Sequence, residues 1–314
     1  MITPMNPRVS VVIPTFDRLE PTHEAIASVL GQEHPHLKEI IVVDDASEQP
    51  FTYRSGQAAE APVHVLRHEK NRGAAAARNT GIRAATGSLI AFLDSDDLWC
   101  AGKLAAQLST FDQDPAPMRA IGSGFIKNRG NSVHNPEFWP IGAENPKFFA
   151  SGCWFCPGST ILVPRAGFER IGYFDEGLRR LEDLDWYLRF ALAGGKLDIA
   201  PVIGSLIRLS GYPRTDLVAQ SVRDFDRIWA SRALPPTLRR RLDAYFALEQ
   251  AAASWRDPRG SADARLVGTM SALFRSFSLV PRFRLHLEQF WGEAPAVAKM
   301  PRPEKPESAP RDLQ

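Results

Sequence analysis

The sequence predicts an α/β fold with a doubly wound, mostly parallel sheet that is flanked by helices and followed by a C-terminal helical extension. Up to residue 99, four apolar runs alternate with helical segments, an arrangement typical of strand–helix–strand units. The clearest run, Leu89 to Leu93, is unbroken and of strand length, which favours a strand buried on both faces. Carboxylates follow it directly, at the sheet edge where α/β proteins bind ligands.

The first part of the chain supplies the predicted parallel strands. We expect them over the apolar runs at residues 8–14, 39–43, 63–67 and 89–93. Pro21 and Gly31 delimit a helix with one apolar stripe, because proline suits a first turn and glycine ends a helix. Residues 71–85, which we interpret as a loop that enters an Ala-rich helix, and a further helix over 103–111 complete this part.

The second part has weaker patterns. Residues 112–157 are rich in Pro, Gly and Asn and predict loops. We then expect a short strand, a short helix and a strongly periodic helix, at residues 159–163, 165–171 and 181–193. Three Arg-rich helices separated by proline follow, at residues 216–232, 236–254 and 262–290. Residues 295–314 are rich in Pro, Lys and Glu and predict a disordered tail.

The composition excludes several classes of protein. The 314 residues are 44% hydrophobic and 24% charged, which is typical of a globular protein. No apolar stretch reaches the ~18 residues of a membrane span, and the N-terminus lacks a signal-peptide pattern, so we expect a cytoplasmic protein. The net charge of +2 argues neither for nor against nucleic acid, and we expect no nucleic-acid partner.

Charge is unevenly distributed along the chain. Residues 1–200 carry 20 Lys and Arg against 24 Asp and Glu, a net charge of −4. Residues 201–314 carry 18 against 12, a net charge of +6, and could face phosphate, anionic lipid or an acidic partner. The C-terminal arginines among phenylalanines are most often a solvated face, and a membrane-surface patch is the alternative.

Two clusters of carboxylates end predicted strands. Asp94, Asp96 and Asp97 follow the strand at 89–93, and like charges packed at a strand end favour a divalent cation and a diphosphate. A solvated acidic turn that caps a helix explains them equally well. Asp44 and Asp45 likewise suit either nucleoside binding or an N-terminal cap.

Other motifs carry less information. Glu182 and Asp183 lie in the first turn of a helix, where the helix dipole favours acidic residues and lowers their pKa. Cys153 and Cys156 form a C-x-x-C pair, but they precede a strand rather than open a helix, so we interpret them as structural thiols. No glycine-rich signature of dinucleotide-binding or P-loop proteins is present, which disfavours both classes.

Taken jointly, five motifs in one order resemble the family 2 glycosyltransferases, which have the GT-A fold. They stand at residues 11–17, 42–47, 71–81, 92–97 and 174–186. The resemblance covers about residues 8–210 and does not extend to the C-terminal third. It implies an inverting transferase that uses a nucleotide-sugar donor, UDP-linked in our expectation, and a glycan or lipid-linked saccharide acceptor.

The resemblance also implies roles for individual residues. Pro14, Thr15 and Phe16 would line the base pocket, with Asp44 and Asp45 contacting the nucleobase. On the sugar and diphosphate side, the implied ligands of the donor are Arg78, Asn79, Asp94 and Ser95.

The reactive groups follow from the same resemblance. Asp96 would hold Mg²⁺ or Mn²⁺ against the diphosphate, and Asp183 would deprotonate the acceptor hydroxyl. The predicted parts are a donor-binding half, an acceptor-binding half, a helical region and a tail, at residues 1–100, 101–212, 213–294 and 295–314. The helical region would give peripheral contact with the inner face of the membrane. The pattern leaves the oligomeric state open.

One departure from the family pattern keeps a rival hypothesis open. Many relatives carry an Arg-x-His segment where this chain has Arg208-Leu209-Ser210-Gly211. If that histidine helps to hold the diphosphate, either Arg208 or Arg214 substitutes for it or turnover is impaired. A catalytically degenerate nucleotide-sugar-binding scaffold is therefore the alternative. A nucleotidyltransferase is disfavoured, because residues 15–18 are not a Gly- and Lys-rich loop.

Overall fold

The computed structural model describes residues 8–32, 34–54, 61–128, 136–208, 215–256 and 262–277. Within these ranges it confirms an α/β fold with a mostly parallel sheet between helices. The predicted tail at 295–314 and the end of the last helix at 278–290 lie outside the described residues.

The described strands form one sheet of nine, in the order β3-β2-β1-β4-β8-β6-β9-β5, with β7 beside β6. They are β1 Val9–Thr15, β2 Leu37–Asp44, β3 Val63–Arg67, β4 Leu89–Phe92, β5 Leu98–Trp99, β6 Arg119–Asn128, β7 Glu137–Phe138, β8 Leu162–Pro164 and β9 Lys196–Arg208.

Helices lie on both faces of this sheet, and the last three helices follow its final strand in the chain. They are α1 Leu19–Leu30, α2 Ala74–Ala84, α3 Lys103–Asp112, α4 Pro146–Phe149, α5 Pro157–Thr160, α6 Arg165–Ile171, α7 Glu182–Leu192, α8 Thr215–Trp229, α9 Pro236–Arg256 and α10 Ala262–Phe277. In the described ranges, no helix is both long and apolar enough to cross a membrane.

The first four predicted strands are confirmed and pair in parallel. β1 lies between β2 and β4, and β2 pairs with β3 on its other side. The residues of β1, β2 and β4 are largely apolar on both faces because helices cover the sheet on each side. Parallel strands end at one edge, so Thr15, Asp44 and the residues after Phe92 converge there.

The prediction of loops over residues 112–157 is wrong for β6, and β9 was not predicted at all. These two strands pair in parallel with each other, while β8 joins β6 to β4 in antiparallel orientation. The glycines that weaken the strand pattern of β6 are required by packing, because a Cβ on Gly122 would lie 2.7 Å from Ile199. The predicted strand at 159–163 is displaced, since residues up to Thr160 belong to α5.

The C-terminal helices dock on α7 through one buried carboxylate. Asp185 is fully buried and accepts hydrogen bonds from Trp229 Nε1 at 2.9 Å and from Arg232 at 2.6 Å. Arg189 donates to its other oxygen. Phe225, stacked on Trp229, carries the hydrophobic core from α8 toward α9. The first turn of α7, which contains Glu182, Asp183 and Asp185, is thereby held by the C-terminal extension.

Candidate active site

A cavity of about 780 Å³ opens where β1 and β4 end. It gathers eight of the residues that sequence reasoning selected, which are Pro14, Thr15, Phe16, Asp45, Arg78, Asp94, Ser95 and Asp96. Asp44, Asn79 and Asp183 are not part of its lining. A second cavity of about 710 Å³ adjoins it through Thr15 and Arg18 and is also lined by Phe51. Together they provide space for a base and a diphosphate-linked sugar.

Asp44 and Asp45 hold the loops around this cavity. Asp44 is fully buried and accepts from the backbone N–H groups of Ser47 at 2.8 Å and Phe51 at 3.0 Å, besides its ion pair with Arg67. Burial would raise the pKa of Asp44, but the hydrogen bonds outweigh it and the net shift is downward. Asp44 is therefore ionised, and its carboxylate oxygens are bound by groups of the protein itself.

Asp45 holds the loop before α2 in the same way. Its carboxylate accepts from the backbone N–H groups of Arg72 at 2.9 Å and Gly73 at 2.7 Å, and it lies 2.7 Å from His68 Nδ1. Gly73 has a φ of +93°, a conformation that side chains disfavour. The carboxylate thus shapes the cavity wall, and it reaches the cavity itself as a lining group.

Arg78 joins the cavity to the start of α7. Its guanidinium donates to Asp94 Oδ1 and to Glu182 Oε1, both at 2.7 Å, and the residue is only 7% exposed. Burial alone would lower the pKa of Arg78, but Asp94 and Glu182 more than offset it, and the net shift is upward. The pairing fixes Glu182, and with it the neighbouring Asp183, beside the carboxylate that ends β4.

Asn79 is buried on the other side of the same helix. Its amide donates to the carbonyl of Phe174 at 2.9 Å and accepts from the backbone N–H of Phe174 at 3.0 Å. It also donates to Glu176. This side chain therefore orients the chain between α6 and α7, and the structure does not bring it to the cavity lining.

Asp183 lies beyond Arg78 in the first turn of α7. Leu181 precedes it with a φ of +67°, a strained conformation for a leucine, and the Asp183 carboxylate accepts from the backbone N–H of Leu184 at 2.7 Å. Burial raises the pKa of Asp183 although Arg78 opposes the shift. The expected lowering by the helix dipole is thus outweighed, and a carboxylate with a raised pKa is better suited to accept a proton.

Glu182 carries the same kind of shift. Burial and the charge of Asp183 raise the pKa of Glu182 to about 7, against the attraction of Arg78. Glu182 and Asp183 are adjacent and both lie near Arg78, so one positive charge faces more than one carboxylate and does not cancel the upward pKa shifts.

Asp96 is partly exposed, as Asp94 is, whereas Asp97 of the same acidic turn is buried. Its carboxylate lies 3.1 Å from Arg18, and its side chain is 18% exposed. Among the residues that the structure describes, no group of three or more metal-ligating side chains occurs. Mg²⁺ commonly takes one or two protein carboxylates and completes its shell with phosphate and water oxygens. Asp96, with Asp94 nearby, fits that kind of site.

Asp97 and Ser159 support the acidic turn from behind. Asp97 is buried and accepts from the Ser159 hydroxyl and, at 2.8 Å, from the backbone N–H of Arg208. Ser159 in turn accepts from the backbone N–H of Asp94 at 3.1 Å. Burial, with Asp94 nearby, raises the pKa of Asp97 to about 8. The turn is therefore tied to both α5 and β9.

Sequence reasoning missed two cavity residues, Arg179 and Arg180. Arg179 donates to Asn71 at 2.8 Å and packs against Gly73. Two adjacent arginines in a turn are typical of a solvated surface. They line the cavity only because of the path that the chain takes into α7. Arg208 points elsewhere, because its guanidinium pairs with Glu24 at 2.5 Å. Residues 209–214, with the segment that lacks histidine and Arg214, lie outside the described residues.

The two cysteines of the C-x-x-C pair are free thiols. Burial raises the pKa of Cys156 to about 12 and raises that of Cys153 as well. Thiols with such pKa values stay protonated and are poor nucleophiles. Their structural interpretation is consistent with these shifts.

Comparisons with known proteins give the family and the fold. The family model described as Glycosyl transferase family 2 matches residues 10–172. An uncharacterized glycosyltransferase of Rickettsia conorii, RC0461, is 40% identical over 213 residues, which are 66% of this chain and 34% of that protein. The chain thus spans about a third of the length of this relative.

Two further comparisons involve named substrates. The protein WfgD of Escherichia coli, a UDP-Glc:alpha-D-GlcNAc-diphosphoundecaprenol beta-1,3-glucosyltransferase, is 38% identical over 101 residues, 32% of this chain and 40% of that protein. The crystal structure of S. aureus TarS 1-349 in complex with UDP covers 88% of this chain and 91% of that chain, with a TM-score of 0.54 and 16% identity. This last likeness shows the fold alone, a GT-A-like one.

Proposed function

The chain belongs to glycosyl transferase family 2, and from that premise we propose that it transfers a sugar from a UDP-linked donor to an acceptor hydroxyl with inversion. The acceptor is a glycan or lipid-linked saccharide in cell-surface polysaccharide synthesis. On this proposal residues 1–100 bind the donor together with Arg179 and Arg180, and the other parts of residues 101–212 bind the acceptor.

The observation that carries the proposal is the double ion pair of Arg78. It links Asp94, a lining residue of the donor-sized cavity, to Glu182, the neighbour of Asp183. An inverting transfer needs a base on one side of the anomeric carbon and a leaving diphosphate on the other. A rigid link between the cavity and a carboxylate with a raised pKa meets that requirement.

Residues of this chain then have separate roles in the reaction. Asp183 accepts the proton of the acceptor hydroxyl as that oxygen attacks the anomeric carbon and the bond to the diphosphate breaks. Arg179 and Arg180 at the cavity, rather than Arg208, supply positive charge to the diphosphate. Asp96, with Asp94, would hold Mg²⁺ or Mn²⁺, which when bound neutralises the leaving diphosphate.

Two similarities support the choice of substrates. The name of WfgD specifies a UDP-linked sugar and a diphosphoundecaprenol-linked saccharide, and the TarS structure that shares this fold contains UDP. A lipid-linked acceptor would lie at a membrane. A C-terminal region that contacts the membrane would bring the site close to that acceptor. In α10, Leu266, Val267, Met270 and Phe274 are 60 to 78% exposed and recur at helical spacing.

We propose that this apolar face gives peripheral contact with the inner face of the membrane. Flotation with vesicles of phosphatidylglycerol and phosphatidylcholine tests it. Binding that Phe274→Glu weakens supports the contact, and flotation of the Phe274→Glu variant as efficient as that of the unaltered chain contradicts it.

The donor is tested with a thermal-shift panel of UDP, GDP, dTDP and CDP, each with and without Mn²⁺. A ligand that binds only the folded chain raises its melting temperature by mass action. We expect a rise with UDP that Mn²⁺ enlarges, and that Asp96→Ala reduces to the metal-free value. A larger rise with another nucleotide would replace UDP as the donor class.

The rival scaffold hypothesis gives a different result in the same series. A degenerate binder retains the shift with UDP but shows no release of UDP from a UDP-sugar in the presence of any acceptor. Absence of a shift with all four nucleotides contradicts both hypotheses.

A further inference from the structure

Arg18 stands between the two cavities at the ends of the strands and lines both of them. Its guanidinium lies 3.1 Å from Asp96 Oδ2, on the carboxylate that fits a metal site. The Arg18 side chain is 42% exposed and that of Asp96 is 18% exposed. Ion pairs that are this open to solvent contribute little to stability, so a group that competes for either partner can separate them.

The backbone that carries Arg18 is fixed on both sides. The Asp17 N–H donates to Ser47 Oγ at 2.9 Å, and the Asp17 carboxylate accepts from the backbone N–H of Glu48 at 2.7 Å. The Arg18 carbonyl accepts from the backbone N–H of Thr22 at 3.1 Å, in the first turn of α1. The guanidinium can therefore leave its partner by rotation of the side chain while the loop stays in place.

The positive charge of Arg18 occupies the same carboxylate that a metal would need. Arg78 is already divided between Asp94 and Glu182, whereas Arg18 faces Asp96 at the other end of the acidic turn. A divalent cation on Asp96 would lie close to the guanidinium, and the two positive charges would repel each other. Metal binding to Asp96 therefore requires Arg18 to move away.

A guanidinium that is displaced from Asp96 has a suitable partner in the donor. A diphosphate presents several anionic oxygens, and arginine binds such groups with parallel hydrogen bonds. A metal on Asp96 would also bind the diphosphate, so the diphosphate would lie within reach of the Arg18 side chain. Arg179 and Arg180 come from the loop before α7, and Arg18 would add an arginine from the loop before α1.

We propose that Arg18 exchanges partners when the donor binds. Its guanidinium pairs with Asp96 until a metal takes that carboxylate, and it then binds the donor diphosphate. This role rests on the proposed function and adds a residue that couples the binding of metal and donor. Because Arg18 opposes the metal alone and stabilises the donor beside the metal, each ligand should favour the binding of the other.

The test measures two affinities of the full chain and its Arg18→Gln variant, both without turnover. Mn²⁺ binding in the absence of nucleotide is followed by the electron paramagnetic resonance signal of free Mn²⁺. It should become about threefold tighter, since glutamine removes a competing charge held by an exposed ion pair. UDP affinity at saturating Mn²⁺, measured by calorimetry, should fall at least tenfold, since a charged hydrogen bond to phosphate is lost.

The opposite signs separate this exchange from a structural role. An arginine that only holds its loop in place would, when removed, weaken both affinities. The gain in Mn²⁺ affinity should also depend on Asp96, because that carboxylate is where the two cations compete. In an Asp96→Ala background, Arg18→Gln should therefore bring no gain in Mn²⁺ affinity.

Arg165→Gln is the matched control. The Arg165 side chain is 41% exposed and pairs with Glu169 in α6, and it lines neither cavity. Both affinities should stay at their wild-type values in this variant. Arg18→Lys keeps the charge but loses the planar fork, so its Mn²⁺ affinity should match that of the wild type while its UDP affinity lies between those of wild type and Arg18→Gln.

The outcomes distinguish this exchange from the proposed function. An Arg18→Gln variant with wild-type Mn²⁺ affinity, or with wild-type UDP affinity at saturating Mn²⁺, overturns the exchange and leaves the proposed function in place. A loss of both affinities also overturns the exchange. A wild-type chain that binds no nucleotide overturns the proposed function itself.

Discussion

Arg78 joins the donor cavity to the candidate base through contacts at 2.7 Å with Asp94 and Glu182. The Asp94 carboxylate can approach it only because position 158 has no side chain. A Cβ on Gly158 would lie 2.3 Å from Asp94 Oδ2. The geometry of the site therefore depends on a residue that carries no functional group.

We predict that Gly158→Ala displaces Asp94 and breaks its contact with Arg78. The affinity for UDP and Mn²⁺ should fall at least tenfold, because misplaced groups of an active site cost one to two orders of magnitude. Calorimetric titration with UDP and Mn²⁺ measures the effect.

Gly268→Ala is the matched control. A Cβ there meets no atom closer than 3.8 Å, and alanine is favoured over glycine inside a helix. An affinity of Gly158→Ala equal to that of Gly268→Ala would contradict the prediction.

Sequence reasoning predicted the acidic residues of the cavity but did not predict Arg179 and Arg180. Asp94 and Asp96 follow a buried strand, so their place at the sheet edge could be predicted. Arg179 and Arg180 reach the cavity through a turn that ends in the left-handed conformation of Leu181. A positive φ in a leucine has no sequence signal.

Among the elements, β6 and β9 explain why half of the sheet was not predicted. β9 contains Pro201 and Gly204, and β6 contains Gly122 and Gly124, which all weaken a strand pattern. Packing favours small residues at these positions, since a Cβ on Gly204 would lie 2.8 Å from Lys103. β2 and β4 contain no proline or glycine, and in β1 the one proline, Pro14, stands next to the last residue of the strand.

Helix α3 contains a buried lysine whose titration should be visible in stability. Lys103 is fully buried, donates to Gln107 at 2.5 Å and lies 4.1 Å from the ring centre of Trp99. Burial lowers the pKa of Lys103 to about 7. The unfolded chain keeps this proton to about pH 10.4, so it binds more protons than the folded chain above pH 7.

The contribution of Lys103 to stability therefore rises with pH above about 7. Relative to Lys103→Met, the wild type should gain on the order of 2 kcal/mol of unfolding free energy from pH 7 to pH 9. Urea unfolding at both pH values measures the difference, with Lys70→Met as the exposed control. Parallel changes in wild type and Lys103→Met would show that Lys103 does not titrate in this range.

The contact between α7 and the C-terminal helices gives a second test at this scale. Asp185→Asn removes the ion-pair partner of Arg189 and leaves Arg232 with Asp175 alone, at 3.6 Å. Breaking a buried ion pair costs about 3 to 5 kcal/mol. We expect urea unfolding to show such a loss and limited proteolysis to cut α8 faster.

Glu169→Gln serves as the comparison, because its ion pair with Arg165 is exposed on the surface of α6. Exposed pairs contribute at most about 1 kcal/mol. If the two variants lose equal stability, Asp185 does not anchor the C-terminal helices.

For the molecule as a whole, the order of the motifs was more informative than any one of them. Asp44, Asp45, Asp94 and Asp183 each have an ordinary explanation as a turn or a helix start. Their sequence along the chain indicated the family, and the family model over residues 10–172 confirmed it. The C-terminal helices lie outside that pattern, so their docking on Asp185 could only come from the structure.

The proposal as a whole depends on Asp183 acting as the base while the donor cavity stays intact. The most direct measurement compares wild type and Asp183→Asn in two respects. They are the affinity for UDP with Mn²⁺ and the rate of sugar transfer from UDP-glucose to N-acetylglucosamine linked through diphosphate to a decyl chain. We predict equal UDP affinity and a loss of transfer of at least about a hundredfold, as expected for removal of a general base. Transfer by Asp183→Asn at the wild-type rate would contradict the account.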